Sequence, residues 1–266
     1  NIELKEHQLK TVTSVLKDPI QRYLLADEVG LGKTIEACMI LKQFVMDFPS
    51  NHKTIIIVPP LLVSQWHNEL RNKFHLLKDN ESKKDIRVFS YNDIEQINSS
   101  LRSAKMLIID EAHNINNNNQ IDLYKTLEKN MPEDCKLLLL SATPVYNNEK
   151  NYFDMLHLLD PLVYPSDGFE NFKLLIKNRQ NLEQIISSLR PENLMIMDKT
   201  LDKILEIDSE DENLIKMIDQ LKDKVLITFD EDDDDYLEQL NNLEKYLSEI
   251  YKLDRRIIST KRSDIK

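Results

Sequence analysis

Leu24-Leu25-Ala26-Asp27-Glu28-Val29-Gly30-Leu31-Gly32-Lys33-Thr34 is the stretch whose reading decides the fold. An apolar run feeds a turn with two glycines, and the turn ends in Gly-Lys-Thr where an amphipathic stretch begins. The order is strand, tight turn, helix. The chain has only 3 glycines in 266 residues, and two of them, Gly30 and Gly32, sit in this one turn. A glycine-poor chain that does this needs a backbone conformation, or a close backbone approach, that other residues cannot supply. Backbone N–H groups in such a turn can cradle phosphates, and the helix N-terminus adds positive potential. Lys33 would then reach the β- and γ-phosphates, and the Thr34 hydroxyl would bind Mg²⁺. The general phosphate-loop pattern asks for glycine where this chain has Asp27, so by the strict pattern the stretch fails. The competing reading is a chance Gly-Lys-Thr at a helix start.

Outward from this turn, apolar runs alternate with amphipathic stretches. Strands are expected over residues 23–26, 54–58, 86–90, 106–109 and 137–140. Helices are expected between them, over 34–47, 61–73, 93–100 and 119–129. Strands apolar on both faces and separated by helices predict an α/β fold, a parallel sheet flanked by helices. From about residue 166 the strand pattern stops. Helical patterns follow over 169–178, 182–189, 213–221 and 236–251, with Pro191 interrupting one join. Residues 209–212, Ser-Glu-Asp-Glu, read as a helix start with acids at the positive end of its dipole.

With 266 residues, 41% hydrophobic and 30% charged, the chain has enough apolar material for one large domain or two small ones. Its longest nearly apolar run, residues 55–63, contains Pro59 and Pro60 and is far short of the ~20 residues of a membrane span. No basic-then-apolar leader is visible. The two cysteines, Cys38 and Cys135, sit in apolar surroundings and suit free thiols in a reducing compartment, so a cytoplasmic location is expected. Residues 202–238 hold 15 acidic and 4 basic residues, a net -11 that equals the charge of the whole chain. The acidity therefore belongs to one segment and excludes no nucleic-acid partner for the rest. The six consecutive acids at 230–235 read as a solvated loop, with a mimic of DNA phosphate as the sharper alternative.

Two further motifs carry chemistry. Met106-Leu107-Ile108-Ile109-Asp110-Glu111-Ala112-His113 places two carboxylates just past an apolar strand. Phosphoryl transfer needs a metal holder and a group to place the attacking water, roles that Asp110 and Glu111 can fill. An acid pair capping a helix after a strand is the plainer reading. After the run 137–140 comes Ser141-Ala142-Thr143-Pro144. Its hydroxyls can bond the acidic cluster and pass on nucleotide state, or simply end a strand in a polar turn.

Taken in order, these motifs resemble the first RecA-like lobe of the superfamily 2 helicase-type motors, specifically the Snf2 family and its bacterial RapA-like branch. Asp27-Glu28-Val29-Gly30-Leu31-Gly32-Lys33-Thr34-Ile35-Glu36-Ala37 matches the Snf2 form of motif I, which has Asp at the first position. Residues 110–113 resemble motif II, and 141–148 motif III. Leu4-Lys5-Glu6-His7-Gln8 resembles the Q-type motif, which implies that Gln8 reads adenine. Residues 58–70 resemble motif Ia, and Phe89-Ser90-Tyr91 the next short block.

The resemblance implies an ATP-binding lobe of a DNA-dependent ATPase that translocates on double-stranded DNA or remodels protein complexes there. ATP would sit on Gln8 and residues 27–34 (Asp27, Glu28, Val29, Gly30, Leu31, Gly32, Lys33 and Thr34). Thr34 and Asp110 would organise Mg²⁺, Glu111 would activate water, and Lys33 would neutralise charge on the γ-phosphate. His113, Ser141 and Thr143 would couple nucleotide state to DNA, with Pro60, Gln65, Trp66, Ser90 and Tyr91 near the DNA path. Trp66 has a second reading as core packing. The implied organisation is a RecA-like lobe over 1–165, a helical protrusion with its acidic loop over 166–250, and a basic linker over 251–266 leading to a second RecA-like lobe. Protein partners are unspecified, and no membrane is implied. Two other readings remain: an RNA helicase of the DEAH type, and a nucleotide-gated scaffold that does not hydrolyse.

Overall fold

In the computed structural model, residues 5–28, 30–77, 85–116, 123–142, 149–186, 189, 194–207, 211–227, 233–250 and 256–260 are described. The chain divides into two compact units. One comprises Asn1–Phe169 with Arg255–Lys266, the other Glu170–Asp254.

The first unit is built on six strands: β1 (Arg22–Leu25), β2 (Thr54–Val58), β3 (Ile86–Ser90), β4 (Met106–Ile109), β5 (Lys136–Leu140) and β6 (Ile257–Ile258). Their order across the sheet is β3-β2-β4-β5-β1-β6, and every neighbouring pair is parallel. All of β2 and all of β4 are buried, because both faces of the sheet are covered. One face takes Tyr23, Leu25, Ile56, Val58, Met106, Ile108, Leu138 and Leu140 into a core with α1 (Glu6–Lys17), α2 (Lys33–Asp47) and α3 (Val63–Asn68). The alternate residues Leu24, Ile55, Ile57, Leu107, Ile109, Leu137 and Leu139 are also buried and point the other way. There, α4 (Ile94–Leu101) meets β2, α6 (Glu149–Leu159) meets β1, and α5 (Leu123–Asn130) joins the two helices.

The sixth strand is a departure from the sequence reading. Residues 256–260, expected to open a basic linker, add to the edge of the sheet. Leu24 N–H donates to Arg256 O (2.8 Å), and Ala26 N–H donates to Ile258 O (2.7 Å). Arg256 is anchored to Asp160 Oδ2 at 3.0 Å.

The second unit is helical: α7 (Phe169–Ile186, whose first residue belongs to the first unit), α8 (Leu194–Ile207), α9 (Glu212–Ile227) and α10 (Asp234–Ile250). Met197, Leu201, Ile204, Leu214, Ile218, Leu221, Tyr236, Leu240, Leu243 and Leu247 form its core, at the three-to-four spacing of helix stripes. The acidic stretches serve these helices. Asp211 Oδ1 accepts the N–H groups of Asn213 and Leu214, both at 3.0 Å, and so caps α9 as the sequence predicts. Asp233 Oδ1 caps Tyr236 N–H at 2.9 Å, and Asp234 and Asp235 fill the first turn of α10. The run expected as a solvated loop thus ends in a helix start; its residues 230–232 lie outside the described set.

Asp211 also accepts the Tyr246 hydroxyl from α10 at 3.0 Å. Asp211→Ala should lower the stability of the helical unit by about 1–2 kcal/mol, whereas Asp211→Asn should lose less. Urea unfolding followed by far-ultraviolet circular dichroism measures the difference.

Candidate functional site

The register of the parallel strands sets the site. Leu25 pairs with Leu140, and Leu139 with Ile109. The residues that follow, Ala26-Asp27, Ser141 and Asp110, therefore leave the sheet side by side at its carboxyl edge. Ser141 N–H still donates to Leu25 O (3.0 Å), and Asp110 N–H to Ile57 O (2.9 Å).

In the turn after β1, Gly30 has φ +84° and Gly32 has φ +97°, the left-handed region that the sequence demanded. A Cβ on Gly32 would come within 2.2 Å of Gln8 Nε2. Gln8 is buried; its Nε2 donates to Leu31 O (3.0 Å), and its Oε1 accepts Lys5 N–H (3.1 Å). The side chain expected to read adenine also braces the turn. Lys33 bends back so that Nζ donates to Asp27 O (2.6 Å) and Glu28 O (3.3 Å). Thr34 follows in the first turn of α2, partly accessible, and Glu28 and Gly30 are exposed. Val29 lies outside the described residues.

The Asp27 side chain departs from expectation. It is fully buried, so it offers no surface to a nucleotide. Its Oδ1 accepts Thr260 N–H at 2.6 Å, and Glu28 N–H donates to Thr260 O at 3.2 Å. At this first position of the turn, the carboxylate fastens the extension of β6 to the motif. Its Oδ2 and both oxygens of buried Glu36 have no donor if both groups are ionised. Burial, and then the facing Asp27 carboxylate, push the Glu36 carboxyl up to about 8. A proton held on Glu36 gives the pair the hydrogen bond it otherwise lacks. Glu36 lies within the motif I stretch, and the roles expected there do not include it. The signal was an acid on the core stripe of α2, between Lys33 and Ile40.

After β4, Asp110 is buried. Desolvation raises its carboxyl above the ordinary range, against bonds from Trp66 and Glu111 N–H and the nearby charges of Lys33 and His113. Lys33, at the start of α2, and Asp110, just past β4, are thus brought into one electrostatic neighbourhood. Glu111 takes φ +50°, strained for a residue with a side chain. His113 Nδ1 lies 3.4 Å from Glu111 Oε2 and 3.2 Å from Ser141 Oγ, so it spans the acidic motif and the end of β5. Asn151 Nδ2 on α6 donates to His113 O at 3.1 Å. Thr143 lies outside the described residues, with 144–148.

Of the five residues expected near DNA, Pro60 and Gln65 are exposed and Ser90 is half-buried. Trp66 follows its core-packing reading instead of lying near DNA, and Tyr91 departs from its expected place there. Trp66 is 0% exposed, and its ring N–H donates to Asp110 Oδ2 at 2.8 Å. Tyr91 is also buried; its hydroxyl donates to Asp110 O and, at 3.0 Å, to Glu111 O. Neither ring can stack on a base from this position, because both are used inside the site.

A glycine-containing turn beside an acidic motif at the carboxyl edge of a helix-covered parallel sheet is the arrangement of a RecA-like lobe. Residues 7–226 match the SNF2-related domain, and the chain belongs to that family. It is 31% identical over 247 residues to the RNA polymerase-associated protein RapA of Pasteurella multocida (strain Pm70), covering 80% of this chain and 25% of RapA. It is 36% identical over 169 residues to YqhH, an uncharacterized ATP-dependent helicase of Bacillus subtilis (strain 168), covering 58% of this chain and 29% of that one. The chain therefore spans between a quarter and three tenths of these relatives. The SWI2/SNF2 ATPase core of Sulfolobus solfataricus in complex with dsDNA shares the fold, with TM-score 0.51 and 21% identity over 65% of this chain and 38% of that one. The SWI2/SNF2 ATPase core domain of Sulfolobus solfataricus gives TM-score 0.51 and 23% identity, with the same coverage.

Two outcomes follow from the buried pair and the tight turn. Glu36 holds its proton more tightly folded, at about 8, than at its ordinary 4.5. Its contribution to stability is complete below the lower value and is lost as pH rises through the higher one. Glu36→Gln cannot ionise, so it should flatten that fall, read as urea midpoints across a pH series. Gly32→Ala should cost about 1–2 kcal/mol and displace Gln8, read by melting and by the Gln8 side-chain amide signals in NMR spectra.

Proposed function

We propose that this chain is the ATP-binding lobe of a DNA-dependent ATPase that translocates on double-stranded DNA or remodels protein complexes there. The observation that carries the reading is the meeting of Lys33, Asp110, Glu111, His113 and Ser141 at the carboxyl ends of three adjacent parallel strands. Open α/β sheets bind ligands at that edge.

In this reading Lys33 exchanges its neutral carbonyl partners, Asp27 O and Glu28 O, for phosphate oxygens, which form stronger charge-assisted bonds. The N–H groups of the turn and of the first turn of α2 receive the remaining phosphate oxygens. Among the described residues no three His, Cys, Asp or Glu side chains converge as a cation cage. Thr34 and Asp110 are the residues that would share a Mg²⁺ ion with the phosphates, as Mg²⁺ sites commonly do. Bound there, the ion would spread the charge that develops on the β- and γ-oxygens. Glu111 orients and deprotonates the attacking water. His113 carries its state to Ser141 across the strand ends.

The DNA-facing surface runs over the exposed residues Pro60 and Gln65 and the edge at Ser90, with contacts mostly to phosphates. A solved relative of the same fold is bound to dsDNA, which supports duplex DNA as the track. The name of the RapA relative makes RNA polymerase on DNA one class of complex to be remodelled. A second RecA-like lobe completes the catalytic site with arginines. Among the described residues no helix is long and apolar enough to cross a membrane. Both cysteines are free and buried, with thiols raised by burial, which supports a reducing, cytoplasmic setting.

Lys33→Ala should remove most ATP binding, whereas Glu111→Gln should keep ATP·Mg²⁺ and lose hydrolysis by about 10²-fold or more. Binding is measured by calorimetry on this chain. Phosphate release is measured on a chain that includes the second lobe, with and without duplex DNA. Parental turnover in Lys33→Ala would remove the reading.

A further inference from the structure

We propose that Trp66 and Tyr91 are positioning residues that hold the Asp110 and Glu111 carboxylates in place. Trp66 ties the Asp110 carboxylate to α3, and Tyr91 ties the main-chain carbonyls of both residues to the end of β3. The inference rests on the nucleotide-binding reading above and adds how its acidic motif is held and from which side.

Each oxygen of the Asp110 carboxylate has one fixed donor. Glu111 N–H donates to Oδ1 at 2.9 Å, and the Trp66 ring N–H to Oδ2 at 2.8 Å. Two donors from different elements fix the plane of the group and leave lone pairs on both oxygens for a cation or a water. The Tyr91 hydroxyl spans two successive carbonyls, Asp110 O and Glu111 O. Asn114 N–H also donates to Glu111 O, at 2.9 Å. These bonds hold the left-handed backbone of Glu111, a conformation that costs about 1–3 kcal/mol and persists only where its surroundings impose it.

The direction of the bracing is informative. In the strand order β3-β2-β4-β5-β1-β6, the phosphate-cradling turn reaches β4 from the β1 side. Trp66 comes from α3, which follows β2, and Tyr91 from the end of β3, both on the opposite side of β4. The acidic motif is held between the two. Just ahead of α3 stand Pro60 and Leu61, with Leu61 92% exposed, and Gln65 precedes Trp66 on the surface. A shift of this outer layer is carried by two rigid rings to the carboxylates. Indole and phenol suit the task because each buries a large apolar body and ends in one donor. Removing a donor behind a metal-binding carboxylate typically costs about 10–100-fold in metal affinity.

The test measures ADP binding by calorimetry, with Mg²⁺ and with EDTA, for the parent chain, Trp66→Phe and Tyr91→Phe. Tyr91→Phe deletes a single hydroxyl and keeps the packed ring. Both variants should bind ADP in EDTA as the parent does and lose about 10-fold of the tightening that Mg²⁺ gives. A merely structural role would weaken both conditions alike, or neither, and would overturn the inference. Trp66 is the only tryptophan, so the emission of the unsubstituted chain gives a second readout. Mg²⁺·ADP should change that emission and ADP with EDTA should not; identical spectra would overturn the inference. Failure of the parent chain to bind ADP under either condition would remove the nucleotide reading, and this inference with it. Normal ADP binding with unaltered Mg²⁺ tightening in both variants would remove this inference alone.

Discussion

Parallel pairing in register between β1, β5 and β4 is the constraint on which the rest depends. Because Leu25, Leu140, Leu139 and Ile109 stand level with one another, the residues beyond them are delivered to one edge. A separation of 28 residues, between His113 and Ser141, becomes a contact of 3.2 Å. The apolar strands are therefore a positioning device as well as a core. A one-residue slip would turn Asp110 or Ser141 to the opposite face.

The site is charged, yet much of it is dry. Asp27, Glu36 and Asp110 are all buried, an arrangement that costs free energy unless donors are supplied. Each is accommodated differently: Asp27 by the Thr260 N–H just past β6, Glu36 by a retained proton, Asp110 by Trp66 and its own neighbour. The glycine-containing turn and the acidic motif are thus held by buried groups. Where the usual pattern has glycine, Asp27 has a partner, the backbone N–H of Thr260 just past the sixth strand.

Much of the fold was legible in the sequence. The bounds of β2, β3 and β4 match the apolar runs; β2 and β4 are buried along their whole length, and β3, at the sheet edge, is buried only at Ile86. The turn at Gly30 and Gly32 was legible from glycine scarcity alone. What escaped was non-local. Ile257–Ile258 is too short for a pattern and becomes a strand only by lying against β1 and Asp27. The helices α1, α6 and α8 fall outside the helical stretches expected from the sequence; in α1 the buried side includes the polar residues Gln8 and Thr11. Trp66 and Tyr91 were placed near DNA by family resemblance. Their hydrogen bonds reach across 44 and 19 residues, and no local pattern announces such partners.

The central claim is that phosphates are received between the turn after β1 and the carboxylates after β4. A crystal structure of this chain with Mg²⁺ and a non-hydrolysable ATP analogue tests it most directly. The account predicts Lys33 Nζ released from Asp27 O and Glu28 O onto the terminal phosphates, with Thr34 and Asp110 beside the ion and Asp27 still bonded to Thr260. Phosphates bound elsewhere, with Lys33 still on its own carbonyls, would contradict it.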